Sequence, residues 1–235
     1  MDNEGTLKKS IEGGKWIFLN TFFQKLISAV SFFVLARLLL PQDFGIVAII
    51  FIVPGLIDLI LSPDFSTAII QNRKDPYRYL NQLWTFNLYK SMLCAAVFFF
   101  GAPLIADFFQ AQEAVNAIRL SSLIIIIPAL ANPAQIFFFK NIFFKKIFIR
   151  DILAAIAYSS GAITLAFFLK SFWALFAGNI AQMAIASATT YSLHHFRPKI
   201  SLKLNNLLSL WGCAKWLYGQ GLVNRVVPSL ENGLV

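Results

Sequence analysis

The chain has few charged residues and few of the groups that build redox or metal sites. Only 13% of its 235 residues are Asp, Glu, Lys or Arg, and it contains 2 Cys and 2 His. Cys94 and Cys213 stand in apolar surroundings and form no CxxC pair, so they do not indicate a disulfide framework. His194 and His195 are adjacent and point to different sides of a helix, which argues against a metal pair. We predict no metal site and no cofactor.

Motifs that mark common enzyme classes are missing from the sequence as well. It contains no DxD motif of the metal-dependent glycosyltransferase type, no HExxH and no GxSxG nucleophile elbow. Asp43-Phe44-Gly45 matches the kinase magnesium motif, but no other kinase signature surrounds it. We interpret the triplet as a turn, and we predict that the protein is not an enzyme.

What the chain has in abundance is apolar residues, at 58% of the total with 25 Phe and a mean hydropathy of +0.68. A soluble domain is typically about 45–50% apolar and about 25% charged. A helix of about 20 apolar residues spans the hydrocarbon core of a bilayer. The pattern predicts an all-α, polytopic transmembrane bundle of six spans, followed by the start of a seventh. The six predicted spans are 16–38, 44–66, 83–105, 116–139, 148–169 and 172–195.

Two connections between these spans are short enough to require antiparallel hairpins. We predict tight turns from Pro41 through Gly45 and at Lys170 and Ser171, because Pro ends a helix and Gly permits a bend. The spans predict four segments along the chain. They are a cytoplasmic segment 1–15, a six-helix lobe 16–195, a cytoplasmic linker 196–206, and the interrupted start of a second lobe, 207–235.

The distribution of Lys and Arg predicts the orientation of the spans. Of the 20 basic residues, 13 lie before the first span or in the gaps after the second, fourth and sixth. The gaps on the other side and their edges hold only Arg37 and Lys170. By the positive-inside rule the N-terminus and the segment after the sixth span face the cytoplasm. Loop charge also accounts for the net charge of +9, so we predict no nucleic-acid partner.

Polar residues within the spans are the candidates for function. Lys25 lies in a row of polar side chains at helical spacing, roughly 13 Å into the first span. A charge at the centre of a span costs roughly 2.5–3.5 kcal/mol on insertion scales. Asp58 and Lys90 lie at similar depths, so the three could share one cavity. The substrate-cavity candidates are Lys25, Gln24, Asn20, Asp58, Asn87, Lys90, Asn179 and Gln182.

Two interpretations of these residues remain open. They could line a net-positive cavity that opens to the cytoplasm and accepts an anionic substrate. Alternatively, the lysines reach the interface along their apolar stems and the amides hold neighbouring helices together. Lys25 and Lys90 against the single carboxylate of Asp58 favour an anionic substrate over a cationic drug.

Several runs along the chain resemble one family of membrane proteins. The runs are LARLLLPQDFGIVA (35–48), STAIIQ (66–71), LNQLWTFNL (80–88), PLIADFF (103–109) and FWALFAGNI (172–180). Together they resemble the N-terminal half of bacterial polysaccharide-exporting flippases, which belong to the multidrug/oligosaccharidyl-lipid/polysaccharide exporter superfamily. The resemblance covers nearly the whole chain. Its most specific run is LARLL-x-P-x-DFG-x-x-A, and the chain departs from the family at 63–65, where a Gly is usual.

The resemblance implies transport of an undecaprenyl-diphosphate-linked oligosaccharide across the bacterial inner membrane, for an O-antigen, capsule or exopolysaccharide. It implies alternating access of two six-helix lobes around a cationic cavity, of which this chain holds one lobe. The implied partners are membrane lipid, the lipid-linked oligosaccharide, Na+ or H+ as a coupling ion, and a second lobe or a second copy of the chain. We therefore expect the chain alone to insert without flipping substrate. The alternatives are a non-transporting membrane fragment or assembly subunit, and an exporter of drugs or other small molecules.

Overall fold

The structure, a computed structural model, describes residues 3–61, 65–71, 75–110, 115–140, 143–201, 207, 209–212, 214–216 and 218–219. Side chains are described for these residues except 3–11, 49, 52, 53 and 55–61. All regular structure in this part of the chain is helical, which confirms the all-α prediction. The helices are α1 (Asn3–Leu38), α2 (Pro41–Leu61), α3 (Phe65–Gln71), α4 (Tyr77–Phe108), α5 (Val115–Leu120), α6 (Ser122–Ala129), α7 (Ile136–Lys140), α8 (Phe144–Leu169) and α9 (Trp173–Leu193).

Length and hydropathy identify several of these helices as membrane spans. Glu12–Leu38 within α1, the whole of α4 and the whole of α8 are each long and apolar enough to cross a bilayer. A bent pair of segments, Val115–Ala129 and Pro133–Lys140, is a fourth span if it is counted as one. The chain is therefore a multi-pass membrane protein. The count of six spans stays a prediction; α2 and α9, at 21 residues each, have the required length.

The predicted fourth span, 116–139, is broken rather than continuous. Its two parts meet at 61°, and a 3₁₀ helix, Pro133–Gln135, precedes α7. Pro128 and Pro133 explain the break, because proline has no N–H and its ring clashes with the preceding turn. The fully buried Asn132 stabilises the bend. Its Oδ1 accepts from the Ala134 N–H at 3.0 Å, and its Nδ2 donates to the carbonyl of Phe196 at 2.7 Å.

The two hairpin turns lie together at one end of the bundle. The first is tighter than predicted, because Pro41 begins α2, where its missing N–H costs nothing, and only Leu39 and Leu40 intervene. In the second turn, Lys170 adopts a left-handed conformation with φ 44°. The carboxylate of Asp43, 7% exposed, links the turns by accepting from the N–H groups of Leu40 at 3.0 Å and Phe172 at 2.9 Å.

The order of packing places α9 at the centre of the bundle. On one side α9 packs closely on α8, and α1 lies on α8 in turn. On the other side α9 contacts α6, which packs on α4. An apolar cluster stabilises the packing on each side of α9. One joins α1, α8 and α9 around Leu35 and Leu175, and the other joins α2, α4, α6 and α9 around Ile50 and Phe98.

Candidate functional site

Two neighbouring cavities lie in the bundle and share Pro128 of α6 and Met183 of α9 as a common wall. We call the first, of about 390 Å³, the lysine cavity, because Lys90 lines it. We call the second, of about 420 Å³, the amide cavity, because Gln24, Gln135 and Gln182 line it. Both volumes fall within the roughly 300–1,000 Å³ of small-molecule sites.

One face of α4 supplies the polar wall of the lysine cavity. Asn87, Lys90, Ser91 and Cys94 lie at helical spacing and all line it. The remaining walls are mainly apolar and come from α2, α6 and α9. They include Phe51, Pro54, Ile124, Ile125 and Met183. The ammonium group of Lys90 thus belongs to the wall of a largely apolar chamber, about 20 Å along α4 from its first residue.

A hydrogen-bonded network forms part of the amide cavity and joins three elements. Arg150 and Asp151 of α8, each 19% exposed, form an ion pair with Nη2 2.7 Å from Oδ1. Arg150 Nη1 donates to Gln135 Oε1 at 2.9 Å. On the other side, Asn20 Nδ2 of α1 donates to Asp151 Oδ2 at 3.0 Å, and Gln24 Nε2 donates to Asn20 Oδ1 at 3.1 Å. The network ties α1 and the 3₁₀ helix to α8, and its two charges neutralise each other.

The structure brings five of the eight predicted residues to these cavities. Asn87 and Lys90 line the lysine cavity. Gln24 and Gln182 line the amide cavity, and Asn20 reaches it through its bond to Gln24. The predicted residues are therefore divided between two adjacent chambers rather than gathered in one.

The other three predicted residues have different surroundings. Asn179 lines neither cavity; its Nδ2 donates to the carbonyl of Leu175, one turn earlier in α9. Lys25 also lines neither cavity and is exposed on α1. The side chain of Asp58 lies outside the described residues, although Pro54, one turn earlier in α2, lines the lysine cavity.

Helix geometry explains why Lys25 is separated from Lys90. The polar row of α1 is wide, and α8 contacts only one edge of it. Ser31 Oγ donates to Ser159 Oγ at 2.6 Å, and Gln24 belongs to the network on the same edge. Successive residues in a helix are about 100° apart, so Lys25 points away from this edge. The spacing of the row does not reveal which of its edges meets the bundle.

The sequence prediction missed the Arg150–Asp151 pair. Both residues lie at the start of the predicted span 148–169, and neither is among the predicted cavity residues. An acid inside a predicted span, 148–169, is itself a signal of function, because such residues are costly and usually paired. The partners from α1 and the 3₁₀ helix depend on tertiary packing, which spacing along one helix does not predict.

Comparison with known proteins identifies relatives. A family model described as "Polysaccharide biosynthesis protein" matches residues 34–235. The chain is 25% identical to the teichuronic acid biosynthesis protein TuaB of Bacillus subtilis, over 97% of this chain and 48% of TuaB. It is 22% identical to the succinoglycan biosynthesis transport protein ExoT of Rhizobium meliloti, over 81% of this chain and 39% of ExoT.

A third relative is the lipopolysaccharide biosynthesis protein WzxC of Escherichia coli, at 20% identity over 95% of this chain and 46% of WzxC. The chain spans about half the length of the curated relatives it matches. No solved structure matches the chain significantly.

Proposed function

The chain belongs to the polysaccharide biosynthesis protein family, and from that premise we propose that it is part of a flippase for a lipid-linked oligosaccharide. The relatives are named for the biosynthesis of teichuronic acid, succinoglycan and lipopolysaccharide, and ExoT is named a transport protein. We propose transport across the bacterial inner membrane rather than catalysis.

The lysine cavity is the observation that carries this proposal. A diphosphate joined to a prenyl chain needs a cation for its charge and an apolar surface for its tail. Lys90 offers the first, and the α2 and α6 walls offer the second. A charged group inside a membrane protein is costly and therefore typical of a substrate or ion path. We assign the substrate path to Asn87 and Lys90 and, beyond the shared wall, to the amide cavity.

Lys25 remains part of the proposal in a different position. Lys25 is exposed on α1, on a surface that also displays large apolar side chains such as Phe18 and Phe22. Alternating access requires two bodies that rock around a common site. We propose that residues 16–195 are one such body and that Lys25 faces the other. In this arrangement 196–206 is the linker and 207–235 begins the second body.

The proposed orientation has a direct test that does not depend on substrate. In a chain without native cysteines, a single Cys replaces Arg78 in the first turn of α4 or Gln110 after its end. A membrane-impermeant maleimide applied from outside should label position 110 and not position 78. The reverse pattern would place the N-terminus outside and refute the orientation.

Deletion of the chromosomal gene tests the function itself. We expect one surface polysaccharide to disappear while its lipid-linked precursor accumulates on the cytoplasmic side of the membrane. Loss of the precursor as well would instead indicate a role in synthesis. Normal surface polysaccharide in the deletion strain would indicate neither, and would favour an assembly subunit or an exporter of unrelated small molecules.

A further inference from the structure

The amide cavity has hydrogen-bonding groups that the protein itself leaves unused. The amide of Gln182 is half-buried and makes no hydrogen bond within the described part of the chain. Gln24 uses only its nitrogen and Gln135 only its oxygen among the described contacts. The cavity therefore offers both donors and acceptors. The three side chains are partly exposed, so their free amide atoms are available to water or to a polar ligand that enters the cavity.

The charges at the cavity are compensated before any ligand enters. Both Nε and Nη2 of Arg150 bond to Oδ1 of Asp151, at 2.8 Å and 2.7 Å. Asp151 Oδ2 is satisfied by Asn20 at 3.0 Å. An anion must break this pair to reach the guanidinium, and separating a partly buried pair is costly. A neutral polar ligand meets no such barrier.

The remaining lining of the amide cavity is mainly apolar. It consists of Pro128, Ala131, Ala154, Met183 and Ala186, together with Ser187 and Thr190. The hydroxyls of Ser187 and Thr190 donate to the carbonyls of Ile127 and Ser187. A sugar ring combines hydroxyl groups around its edge with C–H groups on its faces, and free amides beside apolar side chains match both properties.

We propose that the amide cavity binds a neutral sugar ring of the transported oligosaccharide through Gln24, Gln135 and Gln182. This inference rests on the proposed function, and it assigns the two parts of the substrate to different cavities. The lysine cavity takes the anionic, lipid-linked end, and the amide cavity takes a sugar on the other side of the Pro128–Met183 wall. Hydrogen bonds to hydroxyl groups discriminate between sugars, because a wrong sugar displaces water from these half-buried amides without pairing them.

Protection of a thiol placed in each cavity tests the proposal with free sugars. In the purified chain without native cysteines, Ala186→Cys places a thiol in the amide cavity, and Ala129→Cys places one in the lysine cavity as a matched control. The probes are glucose, galactose, mannose and N-acetylglucosamine at millimolar concentrations, with glucuronate and inorganic phosphate as anionic probes. The measured quantity is the rate of maleimide labelling.

We expect at least one neutral sugar to slow labelling at position 186 threefold or more and to leave position 129 unchanged. Adding Gln182→Leu should abolish this protection, and the conservative Gln182→Asn should retain part of it. Three results would overturn the proposal: no protection by any of the neutral sugars, equal protection at both positions, or stronger protection at position 186 by the anions. Full protection that persists in Gln182→Leu would also overturn it.

This experiment separates the subsite from the proposed function. Binding of a free sugar requires no transport and no lipid carrier. If no sugar protects the purified chain, but deletion of the gene makes the precursor accumulate, the subsite alone is refuted. A chain that binds sugar while the deletion leaves export intact refutes the transport role and leaves the site.

Discussion

The two sides of α9 differ in how closely the neighbouring helix approaches. Toward α8 the contact is close, and small residues allow it. A Cβ placed on Gly178 would lie 2.7 Å from Ala162 Cβ and 3.1 Å from the carbonyl oxygen of Tyr158. Toward α6 the helices separate, and both cavities open against Met183. We call the first contact the α8–α9 seam, defined by Tyr158, Ala162 and Gly178.

The difference shows how one helix can serve structure and function at once. In a bilayer, helices associate through close van der Waals packing of small residues rather than through the hydrophobic effect. The α8–α9 seam supplies this packing and leaves the opposite face of α9 available for cavities. The broken span lies on the open side, and its bend at Asn132 is fixed by a bond to Phe196 after α9 and by a local bond from Ala134.

The largest effect should come from Asn132→Leu, which removes the side-chain bonds that hold the bend in the fourth span. It leaves the buried Ala134 N–H without its partner and removes one of two bonds to the Phe196 carbonyl, which still accepts from Arg197 Nη1 at 3.1 Å. The unpaired N–H costs about 1–3 kcal/mol of unfolding free energy, and the lost bond to Phe196 adds about 0.5–1.5 kcal/mol. Unfolding in mixed detergent micelles measures it. Asn179→Leu is the matched control, since Asn179 bonds only within its own helix. Equal losses in the two variants would contradict the role of the bend.

Gly178→Ala tests the α8–α9 seam by adding a single methyl group. The added Cβ meets Ala162 and backbone atoms of α8, so the helices must separate. Overpacking of this kind costs about 1–3 kcal/mol of stability. Gly101→Ala, where a Cβ meets nothing within 4 Å, should be neutral or slightly stabilising. Mixed-micelle unfolding again measures both, and a Gly178→Ala chain as stable as the unmodified one would show that the seam is loose.

Lys90→Met tests whether the open side carries function rather than stability. Met keeps the length of the side chain and removes the charge that the lysine cavity offers. In the chromosomal gene we expect at least a tenfold loss of export, about 1.4 kcal/mol of lost interaction, with normal expression. Lys170→Met, in an exposed hairpin turn, should leave export unchanged. Normal export in the Lys90→Met strain at equal expression would remove Lys90 from the substrate path.

The sequence predicts the spans better than it predicts the cavities. The spans and the hairpin at Lys170 follow from the length of the apolar runs and from charge, which act locally. The two prolines of span four, Pro128 and Pro133, were visible, but the run is so apolar that a single straight span was expected. The bond between Asp151 and Asn20 could not be predicted, because the two residues lie 131 positions apart along the chain and meet only through tertiary packing. For the same reason the pattern placed Lys25 with Lys90, although rotation about α1 separates them.

The smallest expected effect concerns how α1 is held to the outer face of α8. Ser31 Oγ donates to Ser159 Oγ at 2.6 Å, and Ser159 Oγ donates to the carbonyl of Ala155 at 2.9 Å. Each serine also has a carbonyl of its own helix nearby, so loss of the contact is partly compensated. Hydrogen bonds between membrane helices average about 0.6 kcal/mol in double-mutant cycles. Ser31→Ala, Ser159→Ala and the double variant should give a coupling of about that size in mixed-micelle unfolding. A coupling of that size makes the bond between Ser31 and Ser159 a smaller contribution than the close packing that Gly178→Ala disturbs at the α8–α9 seam. A coupling above about 1.7 kcal/mol, the largest value in such cycles, would contradict this order.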